Sequence, residues 1–150
     1  METFIAAILT VSAGIWVGAI VFQSAVVAPA VFVDLDEDAG RSFLRTLFPR
    51  FFRLGLACGA LMLASVLSFA FFSGWSATAG ILASVTSIMI LLEAISLAMV
   101  PHINAARDAG EAGHAKFTRL HRTSVLLTLA ILLLGITLLA MVAASAAPGM

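Results

Sequence analysis

Four long apolar runs, 4–32, 54–72, 77–100 and 124–146, decide what this chain can fold into. A hydrocarbon core of about 30 Å takes about 20 apolar residues in helical form, so each run is long enough to cross a bilayer. Within lipid every backbone N–H and C=O must find its partner inside the protein, which leaves helices or a closed barrel. A barrel needs short strands of alternating polarity, and these runs show none. With 62% hydrophobic and only 11% charged residues, the chain of 150 has too little polar surface to enclose a water-soluble core. The expected fold is all-α, an integral membrane four-helix bundle. One domain covers 1–150, since no repeat or linker divides the chain. Met1-Glu2-Thr3 carries no basic segment and the first run exceeds a signal peptide in length, so it reads as a retained span. Cys58 is the single cysteine, which rules out an internal disulfide.

Charge sets the orientation. The eight Lys and Arg residues are Arg41, Arg45, Arg50 and Arg53 in the first loop and Arg107, Lys116, Arg119 and Arg122 in the third. By the positive-inside rule these loops face the cytoplasm and both termini lie outside, as in a multi-pass protein of the inner, cytoplasmic membrane. The formal net charge of zero conceals this asymmetry. Membrane-flanking cations without interleaved aromatic platforms argue against nucleic acid, and the expected partner is the lipid bilayer.

Small residues recur at helical spacing in three of the runs: Gly14 and Gly18, then Gly55 and Gly59, then Gly80, Ser84, Ser87, Ala94 and Ala98. Such stripes let helices approach closely where lipid supplies no hydrophobic drive, so they predict helix packing. Pro29 is expected to bend the first span, with Gln23 or Ser24 satisfying freed polar groups. The first loop begins with Asp34, Asp36, Glu37 and Asp38, a solvated run that offsets the neighbouring arginines. Phe43, Leu44, Leu47 and Phe48 then fall opposite Arg41 and Arg45, which predicts a short amphipathic interfacial helix in that loop. Pro49 suits the first turn of the second span, and Trp75 an interfacial anchor.

Glu93 is the residue that needs a reason. It lies about 7 Å to the cytoplasmic side of the bilayer centre at 1.5 Å of rise per residue. An ionisable group there costs about 2.5 to 3.5 kcal/mol on insertion scales and must face the bundle interior or a wet cavity, or be protonated. Gln23, Cys58 and Thr128 fall at similar depth on the other spans, and Thr86 and Ser96 share the Glu93 face, so an intramembrane polar layer is expected. Two readings stay open: a neutral Glu93 as hydrogen-bonded glue, or a group that handles protons, cations or a small molecule.

The segment 99–124 holds all three histidines. Pro101 is expected to end the third helix, with His102 near its terminal carbonyls. Glu111 and His114 have the i, i+3 spacing of carboxylate and histidine metal sites, and His114, Phe117 and His121 share a face. His102, Glu111, His114 and His121 are therefore the candidate metal ligands. The signal is weak, because His114 and His121 are two turns apart, about 10.5 Å of rise. Haem ligation by His102 and His121 is disfavoured by their place at the membrane rim. No cofactor is designated by these residues.

The segments Gly14-Ile-Trp-Val-Gly18, Val27-Ala-Pro-Ala-Val-Phe32, Leu47-Phe-Pro-Arg-Phe-Phe52 and Phe117-Thr-Arg-Leu-His121-Arg-Thr-Ser124 resemble the family of transmembrane protein 205 and its bacterial relatives, a domain of unknown function. The resemblance spans nearly the whole chain. Its most specific pieces are Leu47, Phe48 and Pro49, and Phe117, His121 and Ser124, with Pro29 in the first span. It implies a four-helix membrane protein with no assigned catalytic chemistry. Some members have a longer third loop and an Asn-rich start to the last helix, where this chain has Leu126 and Leu127. Three functional classes follow. The first is a non-enzymatic accessory subunit or membrane-homeostasis module, in a homo-oligomer or larger membrane complex. The second is an oligomeric transporter of a proton, metal or small solute around Glu93. The third is a haem- or copper-binding membrane enzyme.

Overall fold

The apolar runs form helices, and the short connectors between them force the chain to reverse at each end of the membrane. The computed structural model describes residues 2–146; Met1 and residues 147–150, and with them the expected placement of the two termini, lie outside the described residues. The first span is α1 (Glu2–Phe22), a π-helical turn at Gln23–Val27, and α2 (Ala28–Asp34). It is followed by α3 (Glu37–Ser73), α4 (Ala77–Asp108), a 3₁₀ turn at Gly110–Gly113, and α5 (His114–Ala146). Among the described residues there is no strand, and four helical segments are long and apolar enough to cross a membrane. The α3 helix packs on both α1 and α4, and α5 packs on α4 and α1, which closes an all-α four-helix membrane bundle.

Polarity is distributed as a bilayer demands. Trp16, Ile20, Met62, Met89, Ile131 and Leu138 fill the interior together with the polar Thr86, Glu93 and Ser96. Outward faces carry large apolar groups such as Phe71, Leu91 and Leu133. Lipid solvates those groups, whereas polar side chains must turn inward.

The helices run past the prolines that were expected to bound them. The amphipathic stretch after Asp36 does not form a separate helix but the opening turns of α3, which continues through Pro49. At 1.5 Å per residue, 37 residues reach about 55 Å, so this end of α3 stands beyond a core of about 30 Å. Proline removes a single N–H, here the one that would bond the Arg45 carbonyl. Packing on both sides outweighs that loss: Leu44 and Phe52 are buried, and Gly40 sits against Val31. Asp36 caps the start through Ala39 N–H at 2.8 Å. Likewise α4 passes through Pro101 and stops only at Asp108.

Pro29 acts one turn upstream of itself. It lacks the N–H that would bond the Ala25 carbonyl, and its ring crowds that carbonyl. The backbone widens there into the π turn, in which Ala28 N–H bonds back to the Gln23 carbonyl five residues earlier. A π turn inserts one residue into the helical register, which re-aims everything after it. Gln23 is thereby turned inward, and α2 leans on α3 without touching α5.

All eight basic residues gather at one end of the bundle, where α2 gives way to α3 and α4 to α5. The opposite end, with Trp75, carries none.

Candidate functional site

Two features combine polar chemistry with burial. The first is a knot at Glu93. Gly55 and Gly59, one turn apart on α3, leave a slot in which the Trp16 indole of α1 lies lengthwise. Its Nε1 stands 2.6 Å from where a Gly55 Cβ would be, and its Cζ3 and Cη2 stand 3.0 and 3.2 Å from the Gly59 equivalent. From α4, Glu93 Oε1 comes within 2.0 Å of that same Gly55 position. The indole N–H and the carboxyl oxygen are therefore neighbours, yet neither they nor Thr86 Oγ1 meet the geometry of a hydrogen bond. Glu93 is 1% exposed, and Cys58 lies within its electrostatic reach. The Ser96 hydroxyl of the same face donates to the Leu92 carbonyl at 2.9 Å.

The second feature is a cleft at the basic end, made where α2 parts from α5. Its inner chamber, of about 670 Å³, is walled by Ile20, Phe51, Phe52, Leu129 and Leu132. Polar groups enter it from several elements: Gln23 from the π turn, Asn104 and Arg107 from α4, and His121, Ser124 and Thr128 from α5. An outer chamber of about 520 Å³ continues between the start of α3 and the α4 to α5 turn, past Asp36, Glu37, Arg41 and His114. Phe32, Leu44, Arg107 and Phe117 border both chambers, so these residues mark the junction. Each chamber is of the size that holds a small organic molecule, and on either side of the gap between the first span and α5 the lining residues Ser24, Val125 and Leu129 are exposed.

Charges at the cleft are unequally balanced. Among the described residues the ion pairs are Arg41 with Glu37 at 2.6 Å and Arg45 with Asp108. Arg107 makes no ion pair; its guanidinium lies 4.5 Å over the Phe117 ring. Phe117 in turn stacks on His121, with centroids 5.6 Å apart and rings nearly parallel at 7°. No carboxylate lines the inner chamber. Its walls also hold two unpartnered polar side chains. Gln23 is 8% and Ser124 9% exposed, and neither side chain forms a hydrogen bond among the described residues.

The expected polar layer thus divides. Glu93 and Cys58 belong to the knot, Gln23 and Thr128 to the cleft, and Glu93 lines neither chamber. The small-residue stripes divide too. Gly55 and Gly59 are buried, but Gly14 and Gly18 are exposed, with nothing within 4 Å of where a Cβ would stand, and Ser84, Ser87, Ala94 and Ala98 also face outward. Inward places on α1 and α4 go instead to Trp16, Thr86, Glu93 and Ser96, whose polar atoms lipid does not solvate. His102, Glu111 and His114 are exposed, and among the described residues no three His, Cys, Asp or Glu side chains are grouped to hold a metal ion. Of the motif residues, Phe48, Phe117, His121 and Ser124 line the inner chamber; Leu47 and Pro49 are half-buried, and Pro29 follows the π turn.

Sequence reasoning passed over Trp16, Asn104 and Arg107 as site residues. Trp16 carried a signal: a tryptophan far from the headgroups has no interfacial role and brings an N–H that needs a polar neighbour. Arg107 carried none beyond its charge, since its isolation depends on which arginines find carboxylates.

Fold and cleft together define a polytopic helical membrane protein with a cavity at its basic end, where α2 and α5 do not touch. Residues 11–112 match the family model of a domain of unknown function, DUF4149, and the chain belongs to that family. No curated protein and no solved structure matches it.

Proposed function

We propose that this protein is a non-enzymatic membrane module that takes an amphipathic molecule from the bilayer into the cleft between α2 and α5. The observation that carries the reading is the gap between α2 and α5 together with Gln23 and Ser124 on its inner wall, side chains largely buried whose polar groups face the chamber without a hydrogen bond among the described residues. A polar group that opens on a largely apolar chamber and has no partner within the chain is one that the polar part of an occupant can satisfy. A role in membrane homeostasis fits this chemistry, as does kinship with transmembrane protein 205 through the cleft-lining motif residues. By the positive-inside rule the basic end is assigned to the cytoplasmic side of an inner membrane.

Native mass spectrometry of the protein released from mild detergent, after addition of phospholipid, tests the reading. One lipid per chain is expected to survive release. Ser124→Trp, which fills the chamber, is expected to abolish retention, while Leu133→Trp on the lipid-facing side leaves it intact. Equal retention by the two variants, or none by the wild type, would sink the proposal.

Glu93 acts in this reading as a structural group packed by Trp16 and Gly55. Glu93→Gln is accordingly expected to fold, to keep its thermal midpoint within a few degrees, and to retain lipid. A proton or cation path through Glu93 predicts instead that wild-type proteoliposomes carry a flux that Glu93→Gln loses, which fluorescent ion indicators would detect.

A further inference from the structure

We infer that the occupant of this cleft is an anionic, ester-linked phospholipid, with its phosphate at Arg107 and an acyl-ester carbonyl between Gln23 and Ser124. This rests on the amphiphile-binding reading above and adds the class of molecule and its placement. Of the cleft arginines, Arg41 and Arg45 are each paired with a carboxylate, whereas Arg107 makes no ion pair, lies over the Phe117 ring and feels Glu37 and Asp108 only as carboxylates already paired with its neighbours. It borders both chambers, beside His121 and Asn104; the inner chamber has no acidic side chain, and in the outer one Glu37 is paired with Arg41 and Asp36 caps α3. A guanidinium so placed offers a planar fork of donors that fits a phosphate. Zwitterionic headgroups place a second cation near the same arginines, and an anionic headgroup does not.

Depth assigns the second contact. Ser124 lies about one helical turn deeper than His121, roughly 4.5 Å of rise. This is the step from a lipid's phosphate down its glycerol to the acyl esters. Lining the same chamber, the Gln23 carboxamide and the Ser124 hydroxyl have donors and no partner among the described residues, and an ester carbonyl is an acceptor without a proton of its own. Below them Leu129, Leu132, Phe51, Phe52 and Ile20 form an apolar channel for one acyl chain, and the gap between α2 and α5 lets the other remain in the bilayer.

The test is competition by native mass spectrometry, using the full chain in mild detergent with defined lipids. Wild type is expected to retain dioleoyl phosphatidylglycerol about tenfold over dioleoyl phosphatidylcholine. Arg107→Gln is expected to erase that preference while still retaining lipid. Lys116→Gln, at an exposed cation of the same end outside the cleft, is expected to keep it. Wild type is also expected to favour diester over diether phosphatidylglycerol several-fold, and Gln23→Leu to remove that difference. Equal retention of the two headgroups by the wild type, or an unchanged preference in Arg107→Gln, overturns the phosphate assignment while leaving the cleft an amphiphile site. Equal retention of diester and diether overturns the ester assignment. Displacement of phosphatidylglycerol by equimolar inorganic phosphate would make this a site for a soluble anion and overturn the proposal. Absence of any retained lipid in the wild type defeats the underlying reading as well.

Discussion

Gly113→Ala is expected to lower the thermal midpoint more than substitution at any neighbouring glycine, through a loss of about 3 kcal/mol, the upper end of what overpacking costs. A Cβ at position 113 would stand 1.9 Å from the Ala106 carbonyl oxygen, 3.0 Å from its carbon and 2.9 Å from the Ala109 Cβ. The obstacle is mainly backbone, at the last turn of α4, so no side-chain rotation relieves it. Either the 3₁₀ turn moves or α4 frays, and both displace Arg107 from Phe117 across the cleft junction. Gly110→Ala provides the comparison. Gly110 has φ +58 with open space around it, so alanine there meets strain without a clash. Left-handed backbone costs a non-glycine residue about 1–2 kcal/mol. Circular dichroism melts in detergent should rank Gly113→Ala below Gly110→Ala, with reduced lipid retention in the former. The reverse ranking would show that the α4 to α5 turn yields freely.

That turn illustrates how far the sequence could be read. The four spans were legible because apolar length alone compels a helix in lipid, whichever way each helix is rotated. Rotation was harder to see. Gly14-Ile-Trp-Val-Gly18 and Gly55-Leu-Ala-Cys-Gly59 look alike as strings, yet only the second faces inward. What separates them is the residue between the first pair. Trp16 cannot point the same way as Gly14 and Gly18, and its N–H outranks their smallness in claiming the interior. Glu93 was legible as an inward residue from its cost in lipid; its neighbour Trp16 was not, because contact between helices depends on azimuth. Proline was over-read as a helix boundary at 49 and 101, where tertiary packing holds the helix together despite one missing bond. At Pro29 a distortion was expected, and it takes the form of a π turn that aims Gln23 into the cleft. The cleft itself was not legible in the sequence, since it is a gap left by α2, although Phe48, Phe117, His121 and Ser124, with Ala28, Phe32, Phe51 and Phe52 of the same motif segments, line it.

The two glycine pairs also give the second large effect. Gly55→Ala is expected to destabilise the bundle by about 2–3 kcal/mol, combining overpacking with displacement of buried polar groups. The new methyl would fall 2.0 Å from Glu93 Oε1, 2.7 Å from its Cδ and 2.6 Å from Trp16 Nε1. These are side-chain atoms, but neither side chain has room to yield: Trp16 and Glu93 are each 1% exposed. Moving Glu93 outward sends a carboxyl toward lipid, and moving Trp16 opens the slot over Gly59, so each escape carries its own penalty. Gly14→Ala introduces the same methyl on an exposed face with nothing within 4 Å, and alanine favours helix over glycine by about 1 kcal/mol. It is expected to leave stability unchanged or raise it slightly. In a Trp75→Phe background Trp16 is the sole tryptophan, and its emission reports the knot directly. Gly55→Ala should red-shift that emission and lower the midpoint, while Gly14→Ala does neither. If Gly14→Ala proved as damaging as Gly55→Ala, the outward stripe of α1 would have to be covered in the membrane by another helix, and the knot would not be what sets the rotation of α1.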